Sequence, residues 1–272
     1  MEKFGDTAGV FYGIPEEVYH ALKIPSNSAL KKFTRLPALY ELEYLKATEE
    51  DQEAKSYFQQ GKLFELIMLE PERLDTVKTF DGKQYGSKAY EAAVAENPGC
   101  LIVSASDFAD VTRWAACAQK RFGKTQNAVQ VSCIADFAGI EGAKHRFKFR
   151  CDEIDFESRI IYDYKLMADA SPSEFEKSAW QNGYDTQAAL YCLGMDILEP
   201  GERPWRFAFR VQEKHSFGYD DRFTAEYWFD DQSMESALSH VKMQLQVIET
   251  DNYKGYTGGV LSTVRFFSWG RK

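Results

Sequence analysis

Residues 145–155 read HRFKFRCDEID, residues 156–159 read FESR, and residues 160–172 read IIYDYKLMADASP. Two strand patterns flank a short polar turn. Side chains alternate across a strand. Arg146, Lys148, Arg150 and Asp152 are therefore expected on one face of the first strand, with Phe147, Phe149 and Cys151 on the other. On the second strand Asp163 and Lys165 share a face with Ile161, opposite Ile160, Tyr162 and Tyr164. The pair delivers Asp152, Asp163 and Lys165 to the ends of neighbouring strands. Two carboxylates and an ammonium stabilise a core poorly. They suit a hydrated divalent cation well.

Downstream, Pro172 fits the first turn of a helix, which Asn182-Gly183 interrupts. A second helix then carries YDTQAALY (residues 184–191), with Gln187 and Tyr191 at i and i+4 on one face. WRFAFRVQEK alternates as a strand, FTAEYWF reads as its antiparallel neighbour, and DDQSMESALSHVKMQLQVIET is a long amphipathic helix. The tail over residues 251–272 is rich in glycine and aromatics and reads as loop.

Upstream, VFYGIPEEVYH reads as an entry segment with a short strand. In IPSNSALKKF, Ser26 or Asn27 can cap a helix starting near Ser28. Capping is the simpler reading of Ser26 and Ser28, and a phosphate contact at the helix start is the sharper one. Pro37 opens a second helical stretch, and TEEDQEAKS is a charged loop or helix start. YFQQGKLFELIMLEPERL is a strong helix, with Phe58, Leu63, Leu66, Ile67 and Leu69 as its apolar face. Glu65 lies inside it, at a solvated edge if read alone. TVKTF, KAYEAAVAE, LIVSASDFADVTRWAACAQKRF and NAVQVSCIADFAG add a strand, a helix, a strand with a Ser-capped helix, and a strand that turns at Gly139–Gly142.

The chain has 272 residues, 44% of them hydrophobic, which suffices for one sizeable core. No linker, repeat or low-complexity segment divides it. The expected organisation is one domain over residues 1–272, with a core over about 57–250 and an N-terminal helical segment over 1–50. No apolar run reaches the roughly 18 residues of a membrane span, and the N-terminus lacks a secretory pattern. Five cysteines without a CxxC pair argue against a disulfide framework or zinc cluster and for a reducing cytoplasm. A net charge of −9 weighs against an all-over basic nucleic-acid binder, while leaving room for a basic channel in an acidic body.

Phosphodiester hydrolysis needs an activated water, a neutralised phosphate and a stabilised leaving oxygen. Mg²⁺ supplies much of this, using hard oxygen ligands and one or two carboxylates. Asp152 and Asp163 fit as ligands, and the Tyr164 carbonyl can add a backbone oxygen. Lys165 is placed to orient the water or stabilise charge. Glu65 can supply a further carboxylate, and Gln187 and Tyr191 can reach in from their helix. Arg146, Lys148 and Arg150 would extend the face as a DNA phosphate track. Singly, each has an ordinary explanation: a surface ion pair, a helix residue, a solvated strand face.

The ordered set G-x-x-x-E, an Asp closing a strand, D-x-K on the next, and Q-x-x-x-Y on a helix resembles the PD-(D/E)XK nucleases, and within them the RecE-type exonucleases (exonuclease VIII) of prophages. The similarity extends over most of the chain, from VFYGIPEEVYH through GKLFELIMLEPERLD to the segment ending YCLGM. It implies an α/β (α+β) restriction-endonuclease-like core, a central mixed sheet flanked by helices. It also implies a Mg²⁺-dependent exonuclease (Mn²⁺ as substitute) acting on linear double-stranded DNA. Members digest the 5′-ended strand, leave a 3′ overhang for a partner annealing protein in DNA recombination, and assemble as a ring, often a tetramer. By position, Asp152 and Asp163 match the metal-binding acids, Lys165 the catalytic lysine, and Gln187 and Tyr191 the motif after the core. Glu65 stands where many relatives have His. Cys151 replaces a proline that often precedes the first Asp. Ser26 and Ser28 match loosely a 5′-end contact. An endonuclease of the same superfamily and a non-catalytic DNA-binding recombination scaffold are the competing expectations.

Overall fold

The computed structural model describes residues 4–45, 56–138 and 144–249. The charged stretch before the long upstream helix, the turn at Gly139–Gly142 and the C-terminal tail lie outside the described residues.

In chain order the elements are β1 (Gly9–Phe11), α1 (Glu16–Ala21), α2 (Asn27–Arg35), α3 (Pro37–Leu39), α4 (Ser56–Leu69), β2 (Val77–Phe80), α5 (Lys88–Glu96), β3 (Leu101–Ser104), α6 (Ala105–Phe122), β4 (Ala128–Ala138), β5 (Lys144–Asp155), β6 (Ile160–Met167), α7 (Pro172–Asn182), α8 (Tyr184–Leu198), β7 (Arg206–Glu213), β8 (Thr224–Trp228) and α9 (Asp231–Glu249). Six strands form the central sheet in the order β1-β4-β5-β6-β7-β8, and β2 and β3 form a small parallel pair. Only β6 and β7 run parallel in the large sheet. The architecture is α+β, a mixed and mostly antiparallel sheet flanked by helices.

The sheet is covered on both faces. On one side Phe147, Phe149 and Cys151 of β5, Ile161 of β6 and Phe207, Phe209 and Val211 of β7 pack with α7, α8 and α9 in the larger core. On the other, Tyr164 of β6 packs with Leu63, Phe64 and Ile67 of α4 and Val111, Trp114 and Ala115 of α6. Each fully buried large apolar side chain contributes about 1.5–3 kcal/mol. In α4 the apolar face differs from the expected one: Phe58 is exposed, and Phe64 takes its place in the core. Six residues, about one and two-thirds turns of helix, separate them, and of the two only Phe64 packs in the core beside the sheet.

Strict alternation also fails in β5. The β4–β5 ladder pairs Val131 with Cys151 and Val129 with Glu153, but skips Gln130 and Asp152. Gln130 has φ of 50°, in the left-handed region, which non-glycine residues seldom adopt. Cys151 faces the α8 side, while Glu153 bonds the hydroxyl of Tyr164, whose ring lies on the α4 side. Asp152 therefore sits at the point where the strand changes face. Beyond it, the β5–β6 ladder is paired only at Glu153–Tyr162, Ile154–Ile161 and Asp155–Ile160. The two strands fork at Asp152 and Asp163.

Two glycines shape α8. Gly183 closes α7 with φ of 61°, a conformation that suits glycine, so α8 begins at once in a new direction. Gly194 lies flat on the sheet, where an added Cβ would fall 2.2 Å from Phe149 Cε1.

Candidate active site

Asp152, Asp163 and Lys165 meet at the fork. The Tyr164 backbone N–H donates to Asp152 Oδ2 at 2.9 Å, so the Asp152 carboxylate occupies the place of a ladder partner and lies beside residue 163. Gln187 Nε2 donates to Asp163 Oδ1 at 2.6 Å. Lys165 makes an ion pair with Asp163 Oδ2, a buried oxygen with no other partner among the described residues. Glu65 comes from α4 and Gln187 from α8, on opposite faces of the sheet. The fork is where both layers can reach the same point.

The electrostatics bind these residues into one unit. Burial, then the charge of Asp163, then that of Glu65 push the Asp152 carboxyl well above the usual range, opposed by Lys165. Burial pushes Glu65 up to about 7; Lys165 opposes this and Asp163 adds to it. Burial disfavours the Lys165 ammonium, but Asp163 and Asp152 outweigh it, so the lysine titrates above its ordinary value. Lys165 is thus held charged at neutral pH. Glu65, Asp152 and Lys165 are enclosed by protein yet keep a solvent-accessible edge, the condition of groups lining a recess.

Three carboxylates share one adjacent ammonium, an imbalance that a cation would relieve. Among the described residues, no three His, Cys, Asp or Glu side chains form a preformed metal cage. Mg²⁺ does not require one, because it retains waters and takes one or two carboxylates. Asp163 Oδ2, engaged by Lys165 alone, the adjacent Asp152 and the repulsion between their charges fit such an ion.

Other expected residues have different surroundings. Tyr191 lies in the aromatic core, 5.0 Å from the Phe149 ring and 5.6 Å from that of Phe207. It shares a helix face with Gln187, but only Gln187 touches the carboxylate. The Tyr164 ring points away, its hydroxyl donating to Glu153 Oε2 at 2.6 Å, so only its main chain borders the fork. Ser26 is the N-cap residue of α2, without a side-chain capping bond, and Ser28 is exposed.

The basic face of β5 is not an open phosphate track. Arg146 pairs with Asp136 at 2.7 Å and donates to the carbonyls of Gly5 and Asp6. Lys148 is 2% exposed and donates to the carbonyls of Tyr19 and Leu22. Arg150 donates to Gln130 Oε1 and the Ile14 carbonyl, both at 2.9 Å. These cations clamp the N-terminal segment across the strand. Carbonyls with no strand partner of their own recruit the nearest donors, and the alternating cations of β5 supply them.

Two residues at the site carry no motif. Lys31 of α2 lies with Nζ 6.0 Å from the centre of the Tyr184 ring, and Lys165 lies 5.3 Å from the same ring. Burial and the nearby Lys165 lower the Lys31 pKa, against Asp163 and Asp185. Residues 31 and 184 meet only through the packing of α2 against α8, so no spacing reveals them.

Among curated proteins, no sequence match is found. A crystal structure from Eubacterium rectale, named "Putative exonuclease", superposes with a TM-score of 0.61 at 17% identity over 90% of this chain and 89% of that one, which shows a shared fold. A phage related exonuclease from Haemophilus somnus 129PT aligns at 13% identity and a TM-score of 0.26 over 63% of this chain and 90% of that one, too low to carry an argument. The model of the family described as "PDDEXK-like domain of unknown function (DUF3799)" matches residues 26–254, so the chain belongs to that PDDEXK-like family and through it to the PD-(D/E)XK nuclease superfamily.

Proposed function

We propose that this protein is a Mg²⁺-dependent exodeoxyribonuclease that digests linear double-stranded DNA from the 5′ end and leaves 3′ single-stranded overhangs. The observation that carries the reading is the convergence of Asp152, Asp163 and Lys165 at the strand fork, with Glu65 and Gln187 arriving from opposite helix layers.

Asp152 and Asp163 would hold the ion, with the Tyr164 carbonyl and Glu65 as further oxygen donors. The bound Mg²⁺ would supply a polarised water and charge neutralisation at the scissile phosphate. Lys165, kept protonated by two carboxylates, serves as a fixed positive charge for the developing oxyanion rather than as a base. Gln187 holds Asp163 in one rotamer by occupying Oδ1. Lys31 is placed to meet the phosphate that enters over Tyr184. Tyr191 supports the helix that carries Gln187 from within the core.

The 5′ polarity, the ring-shaped oligomer and the annealing partner rest on the resemblance to RecE-type exonucleases. One linear duplex labelled at either end, incubated with and without Mg²⁺ beside a closed circle, tests the reading. Loss of the 5′ label first, with the circle intact, is the expected result. Cutting of the circle would replace the exonuclease with an endonuclease. Undiminished digestion by Asp163→Ala or Lys165→Ala would remove the site assignment.

A further inference from the structure

Two lysines meet over one ring at the fork. Lys165 Nζ lies 5.3 Å and Lys31 Nζ 6.0 Å from the centre of the Tyr184 ring. Lys165 is paired with Asp163. Lys31 has neither an ion pair nor a hydrogen bond among the described residues. Burial and the like charge of Lys165 disfavour the Lys31 ammonium, and the charges of Asp163 and Asp185 do not make up the difference. Bringing like charges together is costly, and an anion beside them would offset that cost.

Lys31 is not a loose surface lysine. It is half-buried, and its stem runs along the glycine at the α7–α8 corner, with Cε and Cγ 3.6 and 3.8 Å from where a Cβ on Gly183 would lie. The ring beside it is fixed as well. Tyr184 stacks on Phe209 at 5.1 Å and 25° and lies 6.0 Å from Phe175, and both partners belong to the larger core. The Lys31 ammonium and the Tyr184 hydroxyl both reach solvent, and the hydroxyl too has no hydrogen-bond partner among the described residues. One charged and one neutral donor thus stand on rigid supports beside the acids. A phosphodiester, with one charge and two free oxygens, matches that pair. The phosphate held on a cation at Asp152 and Asp163 is already served by Lys165, which leaves Lys31 for its neighbour along the strand.

We infer that Lys31 and the Tyr184 hydroxyl hold a second phosphate, the neighbour of the scissile one on the strand being cut, and so set the register in which that strand crosses the fork. The assignment rests on the nuclease reading for the identity of the strand, but binding tests it apart from cleavage. Fluorescence anisotropy in Ca²⁺ at neutral pH compares the full chain with Lys31→Met, Lys31→Arg and Tyr184→Phe on one linear duplex over a range of salt. Lys31→Met keeps the stem against Gly183 and removes the charge. It is expected to weaken binding about tenfold or more and to reduce the slope of log affinity against log salt by about 1, while Lys31→Arg retains both. Tyr184→Phe should weaken binding severalfold with the slope unchanged. The duplex is then remade with a single neutral methylphosphonate at each linkage near the 5′ end in turn, and digestion of the unmodified duplex in Mg²⁺ identifies the linkage cut first. A methylphosphonate next to that linkage should cost the parent as much as Lys31→Met does, and cost Lys31→Met nothing further. A parent-like affinity or salt slope in Lys31→Met, additive losses at every linkage, or coupling only at the linkage that is cut would each overturn the inference. Coupling of Lys31 to one linkage in a parent that digests no linear DNA in Mg²⁺ would instead sink the nuclease reading and leave the phosphate contact standing.

Discussion

Gln187 and Asp163 are joined by a 2.6 Å hydrogen bond that ties the first turn of α8 to the carboxylate at the strand fork. The bond occupies Oδ1 and leaves Oδ2 to Lys165 and to any cation. Gln187→Ala is expected to lower the cleavage rate about 10- to 100-fold, as for loss of a residue that orients a metal ligand. Gln187→Glu, which sets a second carboxylate against Asp163, should lower it further. Single-turnover digestion at saturating DNA measures both, and a rate within twofold of the parent for either would contradict the orienting role.

Metal identity offers a second check. Mg²⁺ holds tight octahedral geometry, whereas Ca²⁺ coordinates loosely with more ligands. Mg²⁺ is expected to support digestion and Mn²⁺ to replace it. Ca²⁺ should permit DNA binding with little cleavage, and chelation should stop the reaction. Rapid turnover in Ca²⁺ alone would count heavily against the assignment.

A buried ionic network lies under the fork. Glu153 receives Arg210 at 3.2 Å, the Tyr164 hydroxyl at 2.6 Å and Asn127 Nδ2 at 2.6 Å. Removing one partner leaves a buried charge unpaired, so Arg210→Met is expected to destabilise the protein by about 3–5 kcal/mol. Adding Glu153→Gln should recover part of that loss, because the orphaned charge is removed with it. Denaturant unfolding of both single variants and the double variant reads the coupling, and strictly additive losses would show that the network does not act as one.

At Gly194 the constraint is steric. A methyl group there would meet Phe149 Cε1 at 2.2 Å and Cζ at 2.5 Å, in a ring locked inside the core. Gly194→Ala should therefore destabilise by about 1–3 kcal/mol, despite alanine's better helix propensity. A thermal midpoint equal to or above the parent's would show that α8 can lift off the sheet at no cost.

Lys148 sets a pH dependence. Burial, aided by Lys23, lowers its pKa to about 8 from the ordinary 10.5. Between these values the unfolded chain binds more protons than the folded one, so this residue makes stability rise with pH. Relative to Lys148→Met, the parent's unfolding free energy should be level below pH 8 and climb from pH 8 towards 10.5. A difference that falls across that window would mean that the Tyr19 and Leu22 carbonyls hold the ammonium more tightly than burial disfavours it.

Much of this was legible in the chain. The strand period around Asp163, the helix of Glu65 and the i, i+4 pair on α8 all follow from local pattern, and local pattern governs local structure; the alternation expected through Asp152 does not survive the irregular pairing with β4. Two expectations failed for one reason. The cations of β5 alternate as a solvated or DNA-facing strand would, but the N-terminal segment crosses them and takes their hydrogen bonds. Phe58 has the right spacing for a core residue, but α4 meets the sheet at Phe64. Periodicity tells which residues share a face, not what covers that face.

By itself, then, the sequence determined the elements, the order of the acidic and basic groups along them, and the kind of chemistry those groups can do, because these depend on neighbours within a few residues. Only the tertiary structure decided that the strands part at Asp152, that Lys31 and Tyr184 join the site, and which cations are already engaged. The parting rests on contacts between neighbouring strands, such as the Tyr164 N–H with Asp152, and the other two on contacts between segments more than a hundred residues apart, where packing and the pairing of buried charges choose among arrangements the local pattern leaves equal.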